Sequence, residues 1–176
     1  MLNELSDYFF LNKIYDNIRI DNEGSLEQDN KFTFDQQIHR PINYKSSNLA
    51  YVPFVFDWVK NINSITNAKS CQLSVYYPPD SFFGWHTNDD CEKCYNMIAT
   101  YSTSDKSYFE TRKRKIYDTV GWSIKTNYFN SNSDWHRVIS KGHRLTFAWQ
   151  YDTQEKMNLA INKLKISGVQ NWNSDI

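Results

Sequence analysis

At 176 residues the chain is long enough for one sizeable core, and one domain is the default. Its 20 basic and 20 acidic residues cancel, so no global field pulls it toward nucleic acid or a membrane surface. Three cysteines, no charged-then-apolar N-terminus and no apolar run near about eighteen residues exclude a disulfide framework and a membrane span, and predict a soluble cytoplasmic protein.

Aromatic residues make up 16% of the chain, a bias toward half-buried pleated surfaces. Residues 1–48 are weakly patterned, with a short helix or strand over 5–11. Residues 21–30 are polar, contain Gly24 and read as a loop. Residues 48–61 read as a helix capped by Asn48 or Ser47. Val52, Val55, Phe56 and Val59 share one face, and Pro53 falls in the first turn, where proline is tolerated.

From residue 71 the period changes to two. Leu73, Val75 and Tyr77 share a face until Pro78-Pro79-Asp80-Ser81 turns the chain. Short strands follow over 83–87 and 95–101, the latter with Met97, Ala99 and Tyr101 on one side. Strands 107–111 and 115–120 flank the basic run Arg112-Lys113-Arg114-Lys115, which reads as a solvated hairpin tip rather than a phosphate-binding patch. Residues 122–129 and 135–139 continue the pattern. In 143–151, Leu145, Phe147 and Trp149 face one way, and Arg144, Thr146 and Ala148 the other. Seven or eight short strands in about 80 residues indicate a sandwich or barrel. A C-terminal helix follows over 153–166, with Met157, Ile161 and Leu164 on one face and Gly168 as its stop. The expected organisation is a single domain, 1–176. Residues 1–69 form an N-terminal extension with a supporting helix, 70–152 a jelly-roll core, and 153–176 a C-terminal helix and tail.

Two histidines stand fifty residues apart in Gly84-Trp85-His86-Thr87-Asn88-Asp89 and Trp135-His136-Arg137-Val138. Ferrous oxygenase sites hold iron by two imidazoles and a carboxylate on one face of an octahedron. A histidine and its carboxylate partner at i and i+2 lie on the same side of one strand end. His86 and position 88 have that spacing, and His136 is expected from a strand of the opposite sheet. Position 88 is asparagine, a neutral and weaker ligand. Three readings therefore stand open: Asn88 ligates through its carbonyl oxygen, Asp89 or Asp90 supplies the carboxylate, or the site is degenerate. Arg144 opens a strand eight residues after His136. Its planar fork suits a carboxylate, Thr146 shares its face, and a buried arginine there requires an anionic partner.

The order His86-Thr87-Asn88, His136, Arg144-Leu145-Thr146 resembles the Fe(II)/2-oxoglutarate-dependent dioxygenase superfamily over about residues 70–152. The spacing of His136, Val138, Gly142 and Arg144 resembles its prolyl 4-hydroxylase branch. The resemblance implies a double-stranded β-helix (jelly-roll, cupin-like), mainly β, with an N-terminal helical region and a C-terminal helix. It implies Fe(II) and 2-oxoglutarate as cofactors, and oxidative decarboxylation of 2-oxoglutarate coupled to hydroxylation of a substrate carbon. His86 and His136 would hold iron with Asn88 or Asp89, and Arg144 and Thr146 would take the distal carboxylate. Tyr77, before Pro78-Pro79-Asp80, resembles a tyrosine that reaches the cosubstrate in the alkylation-repair branch. The Gly84-to-Asn88 segment also resembles small proteins of tailed bacteriophages. A second reading is therefore a catalytically silent jelly-roll that binds or assembles, as a homo-oligomer or within a virion. The substrate is open, with a protein or small molecule favoured over nucleic acid.

The remaining candidates read more plainly. His143 alternates away from Arg144 and is a surface residue or one that supports a ligand; His39 has no motif around it and is structural. Trp85 and Trp135 are packing residues rather than substrate platforms. Cys91 and Cys94 form one Cys-x-x-Cys with no second, and read as incidental thiols rather than a zinc clip with His86.

Overall fold

The computed structural model describes residues 2–22, 24–34, 45–48, 52–87, 94–129, 134–164 and 169–171. Helix α1 spans Leu2–Leu11, α2 Leu26–Asn30, α3 Pro53–Thr66 and α4 Gln154–Leu164. Strands β1 and β2 are Asp21–Asn22 and Lys45–Asn48. Strands β3 to β10 are Ser70–Tyr77, Ser81–His86, Cys94–Ser102, Tyr108–Thr111, Lys115–Tyr117, Gly121–Phe129, His136–Ser140 and Arg144–Tyr151; β11 is Val169–Asn171.

The large sheet runs β1-β2-β3-β10-β5-β8-β11 and the small sheet β4-β9-β6-β7. Between β3 and β10, every connection except the β6–β7 hairpin crosses from one sheet to the other. That strand order is the double wrap of a jelly-roll. The fold is a double-stranded β-helix. The strands of the large sheet extend beyond the expected core segment, because β2 pairs with β3 and β11 pairs in parallel with β8.

Two local readings are corrected. Residues 26–30 are helical rather than loop. Ser25 Oγ accepts the Gln28 N–H and the Gln28 side chain accepts the Ser25 N–H, a reciprocal cap that makes one short turn viable. Helix α3 begins at Pro53, later than expected, and neither Asn48 nor Ser47 caps it. Asn48 belongs to β2, and the residue before the helix is Val52, which offers no side-chain cap. Proline at the helix start stands in for one, since it has no N–H to satisfy. The helix ends on Asn67 at φ 54°, the left-handed region asparagine tolerates.

Most of the apolar core lies outside the barrel. Leu145, Phe147, Trp149, Met97, Ala99 and Ile124 project from the large sheet onto Leu5 and Phe9 of α1, Val55, Trp58 and Ile62 of α3, and Met157, Ala160 and Ile161 of α4. Trp149 Nε1 donates to Asn63 Oδ1 at 2.8 Å, which fixes α3 across the sheet. The space between the sheets holds a smaller cluster: Val75, Tyr77, Ile98 and Ala148 meet Phe109 and Val138 of the small sheet. Alternation on β10 therefore sends Leu145, Phe147 and Trp149 to the helices and Arg144, Thr146 and Ala148 to the inside. Among the described residues no helix is long and apolar enough to cross a membrane.

Candidate functional site

The inner face of the large sheet is polar at both ends. Strand register places Arg144 between Tyr77 and Ser102, and Thr146 beside Thr100, which neighbours Ser123. Ala148 lies beside Ile98, which neighbours Lys125. Gln150 lies beside Asn96, which neighbours Asn127. All these polar side chains are buried. Burying so many polar groups costs stability unless each finds a partner, so the row is built for something other than apolar packing. The buried Asn127 Oδ1 has no hydrogen-bond partner among the described residues.

His86 and His136 enter this space from the small sheet. Contrary to the expectation of opposite sheets, they sit on neighbouring strands of one sheet and pair directly in the β4–β9 register. Fifty residues of sequence separation are closed by a single ladder because the chain wraps twice. Their ring centroids are 4.2 Å apart. His86 stacks on Phe83 and His136 on Phe109, both on the inner side.

A β-bulge sets this arrangement. Phe83 pairs with Val138 and His86 with His136, so β4 takes three steps where β9 takes two. In a regular strand without the bulge, residues three apart such as Phe83 and His86 would lie on opposite faces. With it both face inward, and Trp85 turns outward against Phe34 and the Arg137 guanidinium. Trp135 packs on Phe32 and Phe34, so both tryptophans are packing residues of the outer face.

Each imidazole is oriented by its own strand. His86 Nδ1 bonds Gly84 O at 2.7 Å, and His136 Nδ1 bonds Asp134 O at 2.7 Å. A carbonyl oxygen only accepts, so in both rings Nδ1 carries a proton, and in the neutral imidazole Nε2 carries the lone pair. Backbone-anchored imidazoles of this kind suit metal ligation. The donor set fits a divalent transition metal in two of its positions. Asn88, Asp89 and Asp90 lie outside the described residues, as do His39 and Cys91; Cys94 opens β5. Among the described residues no group of three histidine, cysteine, aspartate or glutamate side chains is placed to hold a metal.

The other end of the inner space is cationic. Arg144 is 1% exposed; its Nε donates to Asp118 Oδ2 at 2.8 Å, Nη1 to Thr146 Oγ1 at 2.5 Å and Nη2 to Thr100 Oγ1 at 3.4 Å. The guanidinium lies over the Tyr77 ring, 5.3 Å from its centroid. Arg144, Thr146 and Tyr77 are thus brought together. The sequence reading missed two members of the group. Lys125 Nζ donates to Asp118 Oδ1 at 2.7 Å and approaches Ser123 Oγ at 3.4 Å, so Asp118 bridges two cations. Burial pushes the Asp118 carboxyl up, but Arg144 and Lys125 outweigh it and hold it below its ordinary 3.8. Burial, aided by the Arg144 charge, pulls the Lys125 ammonium below its ordinary 10.5, with Asp118 opposing.

Histidines and arginine enter from opposite ends. His136 and Ser140 are four residues apart on β9, about 13 Å of strand, and the turn after Ser140 leads straight into Arg144. Arg144 reaches back along its strand to the Thr146–Thr100 pair, which shortens the gap. Gly142 makes that turn possible. A Cβ there would stand 2.6 Å from Thr103 Oγ1 and 2.9 Å from Ser104 Cβ. Gly142→Ala is expected to cost about 1–3 kcal/mol through overpacking. An unchanged urea midpoint would refute the close approach.

His143, by contrast, points to the helices. Its Nδ1 and the Tyr76 hydroxyl are 2.7 Å apart, its ring packs with Phe10 and Tyr15, and burial lowers its pKa. It stands outside the inner space.

No family model and no curated protein matches the chain. Solved structures give weak likenesses. A Pseudomonas putida prolyl-4-hydroxylase is 12% identical at TM-score 0.37, covering 72% of this chain and 80% of that one. A predicted oxalate decarboxylase from Thermotoga maritima is 14% identical at TM-score 0.34, covering 61% and 78%. A cupin-2 domain protein from Shewanella frigidimarina is 10% identical at TM-score 0.28, covering 72% and 93%. At these scores they carry no weight beyond the strand order itself.

Proposed function

We propose that this chain is an Fe(II)/2-oxoglutarate-dependent dioxygenase-like protein acting on a substrate still to be identified. The observation that carries the reading is the facing pair of imidazoles with preset Nε2 lone pairs, sharing one inner space with a buried arginine–lysine group. His86 and His136 would hold the metal, and Asn88 or Asp89 would complete it. Iron would supply oxygen activation. The chain's residues would do the rest: Arg144 and Thr146 bind the distal carboxylate, Tyr77 lines the cosubstrate, and Phe83 and Phe109 keep the imidazoles in place and water out.

The test is anaerobic thermal melting with Fe(II) or Mn(II), with and without 2-oxoglutarate, on wild type and Asn88→Asp. A joint rise in the wild-type melting temperature supports the reading. Arg144→Ala is expected to weaken 2-oxoglutarate binding about tenfold or more, because a bidentate charge pair is lost. Equal affinity in that variant sinks the assignment.

One observation favours a second reading. The Arg144 Nε is already satisfied by Asp118, as a structural ion pair would be. A catalytically silent jelly-roll, serving as a binding or assembly module of a virion, would give a melting response only in Asn88→Asp, or in neither protein.

A further inference from the structure

The buried cluster at the cationic end of the inner space does not balance. Lys125 and Arg144 are each 1% exposed, and Asp118, the one carboxylate between them among the described residues, is 0% exposed. Two cations against one anion leave one net positive charge in a low-dielectric interior, and such a charge is costly unless an anion meets it. The other polar neighbours are neutral hydroxyls: Thr100, Thr146 and Ser123. Backbone carbonyls are already taken up by the sheet ladders on either side. Arg137, the other buried guanidinium among the described residues, faces outward and is matched by both Asp29 and Glu110. The imbalance is therefore confined to the inner face.

From this charge excess we infer that Lys125 is a second ligand-binding cation: it and Arg144, held apart by Asp118, form a two-cation receptor for one carboxylate of a small organic acid. Asp118 is a positioning residue, with one oxygen on each cation, so both head groups are presented to the same side of the inner space. Strand placement agrees. Lys125 and Ser123 come from β8, Thr100 from β5, and Arg144 and Thr146 from β10, three neighbouring strands on which these five side chains share the inner face. The site requires a full negative charge and discriminates against a neutral isostere, which would leave the excess charge uncompensated. This rests on the proposed cosubstrate site but not on iron.

The test uses metal-free protein. Wild type and Lys125→Met are melted with glutarate, 2-oxoglutarate and the neutral glutaramide, and the two acids are titrated calorimetrically. Met keeps the length of the stem, and the variant leaves a neutral Arg144–Asp118 pair. It is therefore expected to melt at or above the wild-type temperature without ligand, so loss of response will not reflect misfolding. The expected result is a rise in wild-type melting temperature with both acids and none with glutaramide. In Lys125→Met the dissociation constant rises about tenfold, the value of one charge-assisted bond. Equal acid binding by the two proteins overturns the role of Lys125, and a wild-type response to glutaramide overturns the charge requirement. No wild-type response to either acid overturns the receptor. Fe(II) is then added. If it does not favour 2-oxoglutarate over glutarate, the iron reading fails while the two-cation receptor stands.

Discussion

Asp118→Asn is expected to destabilise the fold by about 3–5 kcal/mol, the loss typical of stripping one partner from a buried ion pair. The carboxylate is fully buried and holds Arg144 and Lys125 at 2.8 and 2.7 Å. An amide keeps the shape and removes the anion that both cations bind, so two cations face each other across it. Urea unfolding of wild type and variant measures the loss. Its pH dependence identifies the cause. Because the folded pKa of Asp118 lies below 3.8, its stabilisation is fully present above that value and is lost as pH falls through the lowered one. The gap between wild type and Asp118→Asn should therefore stay constant above pH 3.8 and close below it. A gap that persists to the acid limit would mean that the charge of the carboxylate is not its source. The double variant Asp118→Asn/Lys125→Met should be more stable than the sum of the singles, since the same contact is removed twice.

The second large effect belongs to Asp29. It is fully buried on the outer side of the small sheet, where Oδ1 accepts the Trp85 N–H at 2.7 Å and Oδ2 accepts Arg137 Nη1 at 2.9 Å. Arg137 is also bound by Glu110 at 2.7 Å and Asn30 at 2.9 Å, and lies over the Trp85 ring. Asp29→Ala leaves a buried N–H unmet and loosens α2 from the sheet, at an expected cost of about 2–4 kcal/mol. The specific readout is hydrogen exchange at the Trp85 amide, which should lose its protection. Protection unchanged from wild type would show that Asp29 is not what holds this strand. Because Trp85 precedes His86, the variant should also blunt any metal response without touching a candidate ligand.

Much of the architecture was legible because it is local. Period-two alternation gave both faces of β10 and the inner set Leu73, Val75 and Tyr77, and the basic run marked the tip between β6 and β7. The histidines and the Gly142–Arg144 turn stood out by residue type and spacing. What the sequence hid was long-range. That His86 and His136 share a sheet follows from the double wrap, which no window of residues encodes. Asp118 lies seven residues before Lys125 and twenty-six before Arg144, and nothing local ties the three. A signal was available in Lys125 itself: a lysine between Ile124 and Thr126, at the centre of an alternating strand, must point somewhere polar. Helix α2 was missed because five residues are too few to show a period, though Ser25 and Gln28 carry the capping pattern.

The extra residue in β4 makes counting as decisive as chemistry. Between Phe83 and His86 the site depends on how many residues are present and little on which they are. Loss of one of Gly84 and Trp85 would regularise the strand and keep Phe83 and His86 on one face, but loss of both would make them neighbours and turn the His86 ring to the opposite side of the sheet. A lineage that kept both histidines but lost both intervening residues would carry the two imidazoles in its alignment and no facing pair in its fold.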